Sequence, residues 1–299
     1  MKKNKLVYDV DLPERIDYFL NEKISDYSRT YFQKLIKNGH VFVNDKQVLP
    51  SHKLKKGDEI TYSFEDQETS ISLKPEKIPL KVIYEDDDII LINKQSDIVV
   101  HQSFGHESGT LLNALLWHLK GKTKPYMVHR LDKDTTGAII FAKNQKAKVS
   151  LSRQFQKRAV NKTYITAVSG VISEDKGRIE APLGRSRKDR KIIEVGPFAK
   201  RMAITEFKVL SRAKQFTLLE VRIITGRTHQ IRSHMKYIGH PVLGDVDYGG
   251  CSSLNNVEFK RQMLHSYKIR FSHPRKGKMV EFIADIPKDM AGLFKNIKI

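Results

Sequence analysis

An α+β fold in two parts is predicted by three features of the sequence. Apolar residues recur at helical spacing in only a few short stretches, runs rich in β-branched and aromatic residues outnumber them, and several such runs follow one another with no helix between. Consecutive strands of that kind pair antiparallel. The expected architecture is therefore a mainly antiparallel, mixed β-sheet flanked by helices, preceded by a small N-terminal α/β module.

The module comes first. Between Arg15 and Glu22, Ile16, Phe19 and Leu20 lie at helical spacing; Ser28 reads as the N-cap of a second helix with Tyr31, Phe32, Leu35 and Ile36 on one face, stopped at Asn38-Gly39. Val41 to Val43, the turn Asn44-Asp45 and the alternating Glu59 to Phe64 read as strands. The module spans residues 1–64, a polar linker spans 65–78, and a larger domain spans 79–299. In that domain Leu80–Tyr84, Ile89–Asn93, Gly137–Lys143, Lys162–Val168, Ala203–Leu210, Phe216–Ile223, Met263–Phe271 and Met279–Ile283 are the predicted strands. Thr110 caps a helix over Leu111–Leu119, Asn144 caps one running to Arg158, and Thr228 opens one with Ile231, Met235 and Ile238 inward.

A chain of 299 residues has the length of about two domains, and 39% hydrophobic against 29% charged residues suits a folded, water-soluble protein. The charge is unusual. Against 34 Asp and Glu stand 54 Lys and Arg, a net charge of +20 that attracts polyanions. Residues 1–64 hold 12 basic and 9 acidic residues, residues 65–120 hold 5 and 10, and residues 121–299 hold 37 and 15, so the excess sits in the larger domain.

Other classes fail on inspection. No apolar run reaches the 18 or so residues of a membrane span. The basic start is followed by Asp9, Asp11 and Glu14 where a secretory signal has its apolar region, and Cys251 is the single cysteine, so a cytoplasmic protein is expected. Gly121-Lys122-Thr123 lacks the glycine at 116 that a phosphate-binding loop needs, where the chain has Leu116. His229 and His234 are five apart rather than four, which argues against a zinc pair, and no metal is expected.

The segment His129-Arg130-Leu131-Asp132-Lys133-Asp134-Thr135-Thr136-Gly137 stands directly before an apolar strand. An Asp among Arg and Lys is held ionised and can act as nucleophile or base; it can equally be an Asx-turn residue on a basic surface. Three further blocks accompany it: Thr225-Gly226-Arg227-Thr228-His229-Gln230-Ile231-Arg232-Ser233-His234, Gly239 to Gly249, and Leu264-His265. Together these blocks, over residues 79–290, resemble the catalytic domain of the RluA/RluD-type RNA pseudouridine synthases. Residues 13–64 resemble the S-four-type RNA-binding domain that often precedes it.

The resemblance implies isomerisation of uridine in RNA to pseudouridine without a cofactor, with ribosomal RNA favoured over transfer RNA as the partner. It implies no protein partner and a monomer. Asp132 is then the catalytic carboxylate, acting on the ribose as nucleophile at the anomeric carbon or as the base of a glycal route. Arg227 is the arginine expected to pair with Asp132, with phosphate binding at a helix N-terminus as its rival role. Arg130 is expected to enter the RNA where the target base has left, with a surface phosphate contact as its rival role; Tyr164 is expected to stack on uracil, and Leu264 to line the pocket or simply pack in the core. A non-catalytic RNA-binding or ribosome-assembly protein on the same fold is the alternative, and a hydrolase releasing uracil is a third. The chain departs from the family at Lys94-Gln95-Ser96-Asp97, where Lys-Pro and a Gly-containing turn are common, so a changed turn is expected at a distance from Asp132 in sequence. RNA contact is assigned to Arg29 and Lys34 of the module, to Arg185, Arg187, Lys188, Arg190 and Lys191 in one basic run, and to Arg232. That run reads equally as a mobile loop.

Overall fold

The computed structural model describes residues 3–24, 27, 29–64, 74–102 and 108–295. The chain forms two compact units, residues 1–72 and 73–299.

In the first unit the helices Ile16–Lys23 and Arg29–Lys37 cover a sheet ordered Lys3–Val7, Glu59–Ser63, Val41–Val43, Lys46–Gln47. Phe19, Leu20, Phe32, Leu35, Ile36, Val41 and Ile60 form its core. The second helix ends as Asn38-Gly39 requires: Gly39 is left-handed, its N–H bonds to the Ile36 carbonyl, and the His40 N–H bonds to that of Leu35. Asn44 and Asp45, both at positive φ, make the hairpin turn. The expected Ser28 cap lies outside the described residues. The strand Lys3–Val7 went unpredicted because its lysines conceal the pairing with Glu59–Ser63.

Arg29 does not have the free guanidinium expected of an RNA contact. It lies 3.0 Å from the fully buried Asp17 and 3.7 Å from the centre of the Tyr18 ring, because Asp17 carries its charge into the core and needs cations there. Lys34 is exposed on the same helix. Burial opposes ionisation of Asp17, yet hydrogen bonds from Arg15, Gln33 and Arg29 hold its carboxyl at about 2. A folded-state pKa below the unfolded value contributes stability that is present above the unfolded value of about 4 and lost as pH falls through about 2. Residues 16–37 of the full chain should therefore lose hydrogen-exchange protection worth about 2 kcal/mol over that window, and Asp17→Asn should remove the pH dependence. An unchanged dependence in the variant would refute this role.

The second unit is built on an 11-stranded sheet. Its main path runs Ile193–Val195, Lys176–Arg185, Arg201–Arg212, Phe216–Ile223, Asn161–Ser169, Leu264–Ser272, Thr136–Ala142, Ile89–Lys94, Val82–Glu85. All pairs are antiparallel except Thr136–Ala142 with Leu264–Ser272. Every residue of Thr136–Ala142 is buried, since both faces of the strand are covered: Ile139 and Phe141 join one core, Ala138, Ile140 and Ala142 another. At the parallel junction Gly137 is at φ 108°, where a Cβ would collide with the Ser266 backbone. The Asp132 segment thus leads directly into a close backbone crossing of the sheet.

Three details depart from the sequence reading. Lys176–Arg185 is a strand although it contains Gly177, Pro182 and Gly184; its inward residues Ile179, Ala181 and Leu183 alternate cleanly, but charges and breakers hide the pattern. Residues 74–78, expected as linker, belong to this unit: the Asn113 side chain bonds to the Lys74 carbonyl, the Gly109 N–H bonds to the Glu76 carboxylate, and Ile78 packs on the core. The helix expected from Thr228 begins at Gln230 after His229 turns left-handed, and no side chain caps it. The helices predicted at Thr110 and Asn144 have those caps, each side chain accepting from a backbone N–H three residues on.

Candidate active site

The turn bearing Asp132 is held from beneath by a lysine. The fully buried Lys94 donates to the carbonyls of Lys133 (2.6 Å), Gln95 (2.8 Å) and Ile98 (2.9 Å), matching the three donors of an ammonium. Burial pushes its pKa down to about 7 while Asp134 and Asp132 pull it back. The Asp97 N–H donates to Asp134, and Lys133 pairs with Asp97 at 2.8 Å. The Lys94–Asp97 segment, distant in sequence, is therefore the floor of the Asp132 turn. Asp97 takes the left-handed conformation itself (φ 60°), which Asp tolerates better than most residues, so the turn survives without glycine. Asp134 anchors this contact.

Above the floor opens a cavity of about 480 Å³, lined by Asp132, Tyr164, His229, Arg232 and Leu264 among others. The Asp132 side chain remains 19% exposed, with one oxygen 3.6 Å from Arg232 Nη1 and the other 3.9 Å from His229 Nε2. Arg232 reaches this place from the first turn of the helix Gln230–Tyr237. Its fork grips Asp245 at 2.6 and 2.7 Å, Nη2 reaches Asp247 at 3.2 Å, and its plane lies over Tyr248. Burial would lower its pKa, but the Asp245 hydrogen bonds and charge, with Asp132 adding, push it up, so Arg232 is a permanent cation.

Two assignments are corrected by this arrangement. Arg227 is not the partner of Asp132: it precedes the helix, is exposed, and donates from Nε to the Met202 carbonyl. Arg232 is not a surface RNA contact: only 6% exposed, it is occupied by Asp132, Asp245 and Asp247. Two arginines five residues apart in one motif look alike in sequence, and the helix start between them decides which one points inward. His229, rejected from a zinc pair by its spacing, stands at the site. Its Nδ1 lies 2.8 Å from the Tyr248 hydroxyl, and burial lowers its pKa against the pull of Asp132, favouring the neutral ring. Spacing to Arg232 gives no signal for it, because His229 precedes the helix in a left-handed conformation.

Tyr164 is buried in the strand Asn161–Ser169 at a bulge against Leu264–Ser272, where the register shifts between Thr163 and Tyr164. Such a shift re-aims a side chain out of the regular ladder. Burial raises its phenol pKa, Ser266 pulls it down and Asp132 raises it further, so the hydroxyl stays protonated. Leu264, 3% exposed, lines the same cavity as Tyr164. Arg130 is exposed at the cavity and has no ion pair among the described residues.

Arg185, Arg187, Lys188, Arg190 and Lys191 are all exposed around a hairpin between Lys176–Arg185 and Ile193–Val195. The loop has internal order: the Ser186 N–H bonds to the Ile192 carbonyl, and Arg187 lies 3.4 Å over the Phe198 ring. Its base reaches the site, since the Ile193 N–H donates to the Tyr248 hydroxyl and the Ser233 hydroxyl donates to the Ile193 carbonyl.

Comparison with known proteins identifies relatives over nearly the whole chain. Residues 88–237 match the family model described as RNA pseudouridylate synthase, and residues 14–60 match the S4 domain. An RNA pseudouridine synthase of Bacillus subtilis is 43% identical over 291 residues, covering 95% of this chain and 94% of its own length. The ribosomal large subunit pseudouridine synthase D of Pasteurella multocida is 39% identical over 302 residues, covering 96% and 92%. Among solved structures, human RNA pseudouridylate synthase domain containing 1 is 25% identical with a TM-score of 0.57, covering 74% of this chain and 95% of that one.

Proposed function

Because the chain belongs to the RNA pseudouridylate synthase family and is an isomerase acting on RNA, we propose that its substrate is ribosomal RNA and that Asp132 is its catalytic carboxylate. The observation that carries the reading is an Asp132 carboxylate left partly open in a nucleotide-sized cavity, 3.6 Å from a guanidinium that two further carboxylates hold rigid. The names of relatives such as the Pasteurella multocida protein support the ribosomal substrate. Action in the cytoplasm as a single chain is part of the same proposal.

The reaction moves one bond. The N1–C1′ bond of uridine breaks, uracil turns, and C5 joins C1′; the proton leaving C5 is balanced by one gained at N1. Asp132 acts on the ribose, by attack at C1′ or by taking the 2′ proton, and in both routes a fixed carboxylate offsets positive charge developing on the sugar. Arg232, 3.6 Å away, holds Asp132 in one orientation toward the cavity. Tyr164 faces the uracil with a neutral phenol beside Leu264, and Arg130 fills the gap that the extruded base leaves in the RNA. The exposed basic hairpin at 185–191 holds phosphates.

Pseudouridine mapping of total RNA from cells with and without the gene tests the substrate. Loss of one or a few sites in ribosomal RNA is expected. An unchanged ribosomal map with sites lost from transfer RNA would overturn the ribosomal assignment.

A further inference from the structure

Lys162 has no function in the reaction as derived above, yet it lines the same cavity as Asp132, two residues before Tyr164 on the strand Asn161–Ser169. The residue is only 9% exposed. Among the described residues it makes no hydrogen bond and no ion pair. Its Nζ lies 5.6 Å from the centre of the Phe155 ring. A Cβ at Gly226 would stand 3.4 Å from the same nitrogen, so the loop before Arg227 closes over it. His129, stacked on Phe155, accepts the Ile140 N–H and is held neutral by burial and by Lys162, so it offers no counter-charge. A buried ammonium without an anion is costly, and proteins rarely keep one unless a ligand completes it.

We infer that Lys162 is a docking site for one backbone phosphate of the bound RNA, next to the extruded uridine, and that the substrate supplies the anion the protein omits. The inference rests on the reading of this cavity as the uridine site. Burial alone pushes the Lys162 pKa down to about 8, which leaves the ammonium mostly protonated near pH 7 and sharply stabilised by an arriving phosphate. The exposed lysines of the surface lack this property, because water already solvates them.

The test uses the full chain carrying Asp132→Asn, so that RNA binds without turnover, with and without Lys162→Gln. The added change should weaken RNA binding about tenfold and reduce the slope of log affinity against log salt by about 0.7, the single-strand value for one phosphate contact. RNAs with a neutral methylphosphonate at single positions locate the partner: one position near the target should weaken binding to Asp132→Asn alone and have no further effect once Lys162 is Gln. A free anion at this site would leave all substituted RNAs equal, which would overturn the proposal. Lys162→Gln by itself should melt at a higher temperature than the parent, because an uncompensated buried charge has gone; a lower melting temperature would mark a structural lysine and overturn it. With Asp132 intact, Lys162→Gln should raise the KM for RNA by a larger factor than it lowers kcat. Lost kcat with an unchanged salt slope would make Lys162 a proton-transfer group instead. Should the parent protein form no pseudouridine in any RNA, the reading of the cavity itself fails, an outcome separate from all of these.

Discussion

Asp132→Asn is expected to abolish pseudouridine formation while the protein stays folded and bound to RNA. The substitution keeps the shape and removes the charge. An amide cannot attack C1′ or take a proton from the ribose, so single-turnover rates should fall by at least about 10³-fold. Folding should change by no more than about 1 kcal/mol, because Arg232 retains Asp245 and Asp247 when Asp132 is neutralised. RNA affinity should hold or rise slightly, since one negative charge has left a surface that binds a polyanion. Pseudouridine formed by the purified variant at the parent rate, on an RNA verified as substrate, would remove Asp132 from the mechanism.

Arg232 carries the second large effect, and it separates two arginines that the sequence motif leaves equivalent. Arg232→Met leaves Asp245, only 2% exposed, without its cation, which should cost about 3–5 kcal/mol of stability in addition to activity. Arg232→Lys keeps a positive charge but loses the two-pronged grip, so it should fold better and still lose roughly 10²-fold or more in kcat, because Asp132 is no longer held in one orientation. Arg227→Met should change kcat roughly twofold at most, in line with an exposed side chain, and any loss should appear in KM. Thermal melts together with single-turnover rates at saturating RNA distinguish these outcomes. If Arg227→Met lost turnover and Arg232→Lys kept it, the ion pair would have to be reassigned to Arg227.

The Lys94–Asp97 segment shows why distance along the chain misleads. Its departure from the family pattern suggested a changed turn remote from the chemistry. Instead Lys94 holds the Lys133 carbonyl one residue beyond Asp132, and Asp97 adopts the left-handed conformation that glycine usually supplies. The basic run at 185–191 offers the same lesson in reverse. Read as residues, it is equally a mobile loop or a clasp; in the fold its base is bonded through Ile193 to Tyr248, which also touches His229 and Arg232.

Sequence alone determined the fold class, most of the element types and the reaction family, and it singled out the segment around Asp132. Strand and helix periodicities are local, and the ordered blocks around Asp132, Arg227, Gly244 and Leu264 are specific enough to read without coordinates. Charge counting likewise placed the polyanion-binding excess in the larger domain. Tertiary structure decided everything that depends on direction. It selected Arg232 over Arg227, brought His229 to the carboxylate, committed Arg29 to Asp17, and left Lys162 buried without an anion. A motif fixes which side chains are near in sequence, but a helix start, a bulge or a left-handed residue sets where each one points. Electrostatic roles follow from that direction and from burial, neither of which a string of residues contains.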